Sequence, residues 1–571
     1  MAELNEDKFQ EKFAQMRSAE EENLVKLLSQ KYNIPYIDLT TTAIDTDALR
    51  LVPEDVARKA GVALFTLEGK NEVHLAVISP NQDAAQSVQK DLARRGYDVQ
   101  TYMASHASLE SAWDKYADLS DATATTRGSL AISSSDIAEF LANAHTFKDV
   151  QLFIEEVLRM ERSQRTSKIV EVFVAGALAL DASDIHVEPD ESSVRLRYRL
   201  DGILTDINQF DADTYKLLLS RIKLLSGLKL NVKEKAQDGR FSIVLDQAEI
   251  EIRTSVIPSE YGESIVMRIL NPDNIAVPLE DLGMRDELYN VMLHEINQPN
   301  GLILTTGPTG SGKTTMLYAF LKKLYRPDIK VVTLEDPIEY HLQGIVQTQV
   351  EHAKGYSFAS GLRAIVRQDP DVIMVGEMRD DETATTAVNA ALTGHIVFST
   401  LHTNDAAGAI PRLVELGVEA SILPSALRAV MAQRLVRKLC PSCKERVALT
   451  GNAKKAVERV LAGIVDQSIV SRDLNRTHSF EPVGCADCSG TGYKGRTGVF
   501  EAIIMDEHIE RVLDSNVSAR AIRDASRAQG ILSMAEDGVL KVLAGITSFD
   551  ELTRVVELTQ SGSIQRADHN E

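Results

Sequence analysis

"LILTTGPTGSGKTTMLYAFLKKLY", residues 302–325, decides the class of fold. Residues 302–306 form an apolar run without alternation, the pattern of a strand buried on both faces. Residues 313–325 place apolar side chains at helical spacing. Between them lies Gly307-Pro308-Thr309-Gly310-Ser311-Gly312-Lys313-Thr314-Thr315, which fits G-x-x-x-x-G-K-[ST] in a strand–loop–helix context. Glycines let such a loop curl until successive N–H groups face phosphate oxygens, and the helix N-terminus adds a positive end. Lys313 is expected to neutralise β- and γ-phosphate charge, and Thr314 to offer its hydroxyl to Mg²⁺. The loop therefore predicts ATP with Mg²⁺.

Working outward, "KVVTLE" (330–335), "DVIMVG" (371–376) and "HIVFSTL" (395–401) are further apolar runs, alternating with helical segments. Strands buried on both faces and joined through helices make an α/β fold with a parallel sheet, assigned here to residues 276–435. In such a sheet ligands sit beyond the carboxyl ends of the strands. "LEDPIEY" (334–340) brings Glu335, Asp336 and Glu339 to one end, and Glu377 follows another. Hydrolysis needs a carboxylate that orients and deprotonates water and one that helps hold Mg²⁺. Glu339 and Glu377 are the candidates, while Glu335 is either a third or a solvated loop acid. His395 and His402 bracket the neighbouring strand, where an imidazole can hydrogen-bond a γ-phosphate and pass on its loss. Their separation across a strand gives no zinc geometry.

The remainder sets the bounds. The chain has 571 residues, 44% hydrophobic and 25% charged, with a net charge of −21, which argues against a phosphate-backbone binder as the main role. The acidic N-terminus is no secretory signal. The most apolar stretch, "IVEVFVAGALALDA", contains Glu171 and is far short of the roughly 20 residues of a membrane span. A cytoplasmic chain is the expectation. Residues 1–117 read as an N-terminal α/β module, and 118–149, rich in Ser, Thr, Ala and Asp, as a flexible linker. Residues 150–275 read as a small mixed sheet on helices. Residues 436–558 read as mainly helical and hold all four cysteines, and 559–571 as a polar tail. Cys440 and Cys443, then Cys485 and Cys488, form two C-x-x-C pairs separated by 41 residues. Four thiolates favour a tetrahedral structural Zn²⁺ site, with reduced thiols or a redox pair as the alternative. The segment between the pairs is too short to bury much alone, so the metal is expected to close a protruding subdomain.

"TLEDPIEY", "GLRAIVRQDPDVIMVGEMRD" and "TGHIVFSTLHTNDA", together with the phosphate loop, resemble the ordered motifs of the type II secretion and type IV pilus assembly ATPases. "DASDIHVEP", "RYRLDGIL", "QDGR" and "AEDGVLKVLAGITSFDELTRV" extend the resemblance over about 150–558. It implies a RecA-like core preceded by a PAS-like domain. It also implies a homo-hexameric motor, peripheral at the cytoplasmic face of the inner membrane, that acts on a membrane platform protein to build pilin or pseudopilin filaments. By the same resemblance Glu339 is the general base and Glu377 the carboxylate of the second nucleotide motif. Arg253 and Arg268 are the arginines that reach phosphate, and Arg363 and Arg367 are interface arginines. The tetracysteine pattern resembles the assembly and secretion branches. Ala236 stands where the family often has proline. The N-terminal module resembles the family's only around "LLSQKYNIPYIDL" (27–39), where a charged helix replaces paired G-x-x-L repeats. Docking to a membrane-anchored partner is expected of it, and cyclic-dinucleotide binding is not. Other readings are a competence pilus motor, with no direct contact to nucleic acid, and a scaffold that binds ATP but barely hydrolyses it.

Overall fold

The computed structural model describes residues 21–558 apart from 43, 46–47, 50, 69–71, 117–128, 131–139, 141–145, 161, 246–247, 272–276 and 472–475. The chain divides into two compact units, Met1–Ile269 and Leu270–Glu571.

The first unit holds two sheets. Strands β1 (Val62–Glu68), β2 (Glu72–Val77) and β3 (Asp98–Met103) form the smaller, with β2 and β3 parallel. Helix Asp83–Arg94 buries Ala85, Val88 and Leu92, and the chain turns after it through Gly96 at φ 90°. The larger sheet has the order β4-β8-β9-β10-β5-β6-β7. Its strands are β4 (Ser129–Leu130), β5 (Asp184–Pro189), β6 (Val194–Leu200), β7 (Ile203–Phe210), β8 (Gln237–Leu245), β9 (Ala248–Ser259) and β10 (Gly262–Leu270). Alternation on β6 buries Val194, Leu196 and Tyr198 and leaves Arg195, Arg197 and Arg199 on the opposite face. The buried set packs with residues of helices Arg162–Ala179 and Ala212–Leu225 in one core. Of the expected linker 118–149, Ser129–Leu130 pairs with β8 and helix Phe147–Arg159 begins before its end. Residues 118–128, 131–139 and 141–145 lie outside the described residues.

The second unit is built on the order β13-β12-β14-β15-β11-β16-β19. The strands are β11 (Gly301–Thr306), β12 (Val331–Glu335), β13 (Val346–Gln349), β14 (Val372–Val375), β15 (Ile396–Leu401), β16 (Leu427–Leu439) and β19 (Tyr493–Ile504). All are parallel except β19, which runs antiparallel to β16 at the edge. Every residue of β11, β12, β14 and β15 is buried, as strands covered on both faces require. The expected core boundary at 435 falls inside β16, and the sheet continues to Ile504. Arg434, Arg437 and Lys438 interrupt the apolar run of β16 and disguise it.

Between β16 and β19 the chain makes a two-stranded ribbon, β17 (Glu445–Ala448) with β18 (His478–Glu481), and helix Gly451–Gly463. Leu449, Val457 and Leu461 join the same core as Leu540 and Leu543 of helix Met534–Leu543. Burial of each such side chain stabilises by roughly 1.5–3 kcal/mol. The expected protruding subdomain is thus corrected: its helix is anchored by apolar contacts of its own. Before β11, residues 272–276 lie outside the described residues, and Leu279–Leu282 form a short 3₁₀ turn ahead of helix Asp286–Ile296.

Candidate active site

The phosphate loop leaves β11 through Gly307 at φ 151°. A Cβ there would lie 2.4 Å from Ser311 Oγ and 2.7 Å from the Gln433 carbonyl oxygen, so glycine alone fits the curl. Gly310 and Gly312 follow at φ 78° and 89°. Gly312 is the N-cap of helix Lys313–Leu324, and no side chain caps that helix. Its first-turn N–H groups therefore suit an anion. Ser311 Oγ is buried with no protein partner. Lys313 Nζ donates to the carbonyls of Gly307 at 2.7 Å and Pro308 at 3.1 Å. Burial pulls the Lys313 ammonium down to about 8; Glu377 opposes the shift and Arg434 adds to it. A phosphate bound there would favour the charged ammonium. Together the glycine curl, the orphaned hydroxyl and the ammonium fit the triphosphate of ATP. Half-buried Thr314, next along the helix, fits Mg²⁺ as a hydroxyl donor atom.

The neighbouring strand ends are tied together. Thr306 Oγ1 contacts Thr403 Oγ1 at 2.6 Å and donates to the Leu401 and Thr403 carbonyls at 3.0 Å. Thr400 Oγ1 donates to the Gly376 carbonyl at 2.8 Å. These bonds hold Glu377 and His402 side by side, Oε2 to Nε2 at 3.5 Å, with Arg379 on the other carboxylate oxygen at 2.7 Å. Glu339 is half-buried in the loop after β12. Asp336 pairs with His352 at 3.5 Å. Glu335 is no solvated acid: it is 3% exposed and burial raises its carboxyl above the usual range.

His395 requires a correction. It precedes β15, and its Nδ1 lies 2.9 Å from the Ala390 carbonyl oxygen. Its backbone carbonyl accepts from Gly301 N–H at the amino end of β11. In a parallel sheet this is the edge opposite the phosphate loop, roughly 20 Å away at about 3.3 Å per residue. His395 is a structural cap there and does not touch the nucleotide site.

The remaining arginines are placed as follows. Arg363, on helix Phe358–Val366, is half-exposed and pairs with Glu382, and Arg367 at the end of that helix is exposed. On the first unit, Arg253 pairs with Glu251 at 3.0 Å and Arg268 with Asp184 at 3.0 Å. The sequence reading passed over Arg379, Asp184 and Arg434. Arg434 donates to the Asn404 carbonyl at 2.7 Å, and its Nη1 would lie 3.1 Å from a Cβ at Gly307. A basic residue breaking an apolar run beside the phosphate-loop strand was the available signal.

Cys440, Cys443, Cys485 and Cys488 present sulfurs that all lie within 4.8 Å of one another. Neighbouring sulfurs are 3.9 Å (Cys440–Cys485), 3.7 Å (Cys443–Cys488) and 3.7 Å (Cys485–Cys488) apart. A tetrahedron with Zn–S of about 2.3 Å needs sulfurs about 3.8 Å apart. Backbone N–H groups of Gly484, Cys485 and Gly492 donate to Cys443 or Cys488 sulfur at 3.1–3.3 Å, which favours thiolates. The cluster is compatible with zinc.

A parallel sheet whose strand ends carry a phosphate loop, a carboxylate and an imidazole defines a RecA-like P-loop ATPase. Residues 160–554 match the family described as Type II/IV secretion system protein, and the chain belongs to that family. Residues 32–123 match the MshEN domain, a wider likeness than residues 27–39 suggested. The Type IV pilus assembly ATPase PilB of Thermus thermophilus is 36% identical over 94% of this chain, and the chain spans 58% of that relative's length. Type II secretion system protein E of Aeromonas hydrophila is 43% identical over 70% of this chain and 77% of its own. The X-ray structure of the Yersinia pseudotuberculosis ATPase DotB shares the fold, with TM-score 0.50 and 21% identity over 70% of this chain and 95% of that one.

Proposed function

We propose that this ATPase is a hexameric motor that drives assembly of a type IV pilus, acting at the inner membrane on a platform protein. The observation that favours pilus assembly over secretion is coverage: the pilus assembly relative aligns over 94% of the chain, the secretion relative over 70%. Among the described residues no helix is long and apolar enough to cross a membrane, so membrane engagement would come through partners, with the N-terminal module as the docking element. Deleting the gene and scoring surface pili against secreted protein tests the reading. Loss of secretion with pili intact would reject it.

In hydrolysis, Lys313 and the glycine loop bind and orient the phosphates. Glu339 orients and deprotonates the attacking water. Thr314 and Glu377 would hold Mg²⁺, which would supply positive charge against the phosphates. His402 reports the loss of the γ-phosphate to the strand it follows. Arg253 and Arg268 supply further positive charge, and Arg363 and Arg367 face the next subunit. A planar guanidinium brought in by closure ties chemistry to movement. Arg253→Ala and Arg268→Ala are each expected to bind nucleotide and to turn over at least tenfold more slowly, less than the roughly 10³–10⁵-fold a single arginine finger supplies because two arginines share the role. Specific activity is expected to rise with protein concentration as rings form. Sedimentation beside ATPase assays checks both, and full activity in a strictly monomeric sample would sink the ring. The cysteines are proposed to hold Zn²⁺ in a structural site.

A further inference from the structure

Glu335 ends β12 with its carboxylate buried, and donors from three elements converge on it. Tyr318 Oη, from the helix that begins at Lys313, donates to Oε2. Thr333 Oγ1 donates to Oε1 at 2.5 Å, and Gln347 Nε2, on β13, donates to the same oxygen at 3.1 Å. Two of these donors also hold the loop that follows Glu335. The backbone N–H of Glu339 donates to the Tyr318 phenol oxygen. Gln347 Nε2 donates to the Tyr340 carbonyl at 3.1 Å, and Gln347 Oε1 accepts from the Leu342 N–H at 2.7 Å. The Tyr318 and Tyr340 rings meet edge to face with centroids 4.6 Å apart. The loop backbone is therefore fixed at residues 339, 340 and 342 by side chains that Glu335 itself orients.

Burying a carboxylate is costly, and the donors that meet Glu335 offset that cost. Its geometry does something an apolar residue cannot: it locks Tyr318 and Gln347 in one orientation each, and so links the helix of the phosphate loop to the loop of the base. We propose that Glu335 is a positioning residue for ATP hydrolysis, which through Tyr318 and Gln347 holds the loop that presents Glu339 to the γ-phosphate. The proposal rests on Glu339 as the base. A misplacement of about 1 Å costs on the order of 10²-fold in rate.

The test uses the purified full-length chain. Tyr318→Phe removes the hydroxyl that joins Glu335 to the Glu339 N–H and keeps the ring against Tyr340. Glu335→Gln keeps the shape but turns an NH₂ toward groups that donate. Tyr318→Phe is expected to lower kcat roughly 10–100-fold while the KM for ATP and the affinity for a fluorescent ATP analogue stay at wild-type values. The double variant is expected to fall no further than the worse single, because both changes break one network. A merely structural role would lower nucleotide affinity and melting temperature together with kcat. That pattern, or wild-type kcat in Tyr318→Phe, overturns the proposal even where Glu335→Gln fails to fold. Glu339→Gln is assayed alongside. If it is inactive while Tyr318→Phe is normal, only the positioning role fails; if it hydrolyses normally, the assignment of the base fails.

Discussion

Glu377→Gln is expected to bind ATP as the wild type does and to lose about 10²–10³-fold in kcat, the loss typical when one electrostatic contributor to the transition state is removed. The side chain keeps its size and its ability to accept from Arg379, which lies 2.7 Å from the carboxylate. It loses the negative charge that faces Lys313 and the ligand atom offered to Mg²⁺. Lys313→Ala fails at the earlier step. It removes the ammonium that bridges the Gly307 and Pro308 carbonyls and that meets the phosphates. Hydrogen bonds to charged groups contribute about 1.5–3 kcal/mol, so affinity is expected to fall at least tenfold. Titration with a fluorescent ATP analogue, beside phosphate release, separates the two defects. Hydrolysis at the wild-type rate in Glu377→Gln would remove Glu377 from the site and would revive the view of the chain as a scaffold that merely binds ATP.

The sequence made the phosphate loop and its sheet legible because strands buried on both faces carry unbroken apolar runs. Once β11, β14 and β15 are parallel, the positions after them converge, and Glu377 and His402 meet at 3.5 Å as that logic requires. The same logic, applied strictly, excludes His395, since residues before and after a strand lie at opposite edges of the sheet. β19 was hidden for another reason. It pairs antiparallel with β16 across the whole cysteine-bearing segment, and such long-range pairing leaves no local signal. Glu335 stayed open between a third site acid and a loop acid because its donors come from a helix and an edge strand, which only the folded chain brings to it. The N-terminal module was visible from the periodicity of its strands and helix, but its likeness to a known domain was read only around residues 27–39, whereas the match runs over 32–123.

Cys488→Ser is expected to abolish zinc binding and to loosen the cysteine loops and the β17–β18 ribbon without unfolding the sheet. Its sulfur is the most heavily engaged of the four, accepting backbone N–H groups from Cys485 at 3.1 Å and Gly492 at 3.2 Å. A serine oxygen is a harder and poorer zinc ligand, and at structural zinc sites binding energy is folding energy. Loss of a structural metal belongs to the mechanisms that destabilise by about 4 kcal/mol or more. Two features confine that loss here. Val457 and Leu461 hold helix Gly451–Gly463 in the main core, and Lys444 Nζ donates to the Gly545 carbonyl at 2.7 Å. The ribbon and the cysteine loops should therefore open while β16 and β19 stay paired, and nucleotide affinity should be unchanged. Elemental analysis is expected to give one zinc per wild-type chain and none in the variant, and hydrogen exchange should rise over the cysteine loops and the ribbon, 440–448 and 478–492, and not over helix Gly451–Gly463. A wild-type preparation that is folded, active and free of zinc would reject the structural metal and leave the cysteines as reduced thiols.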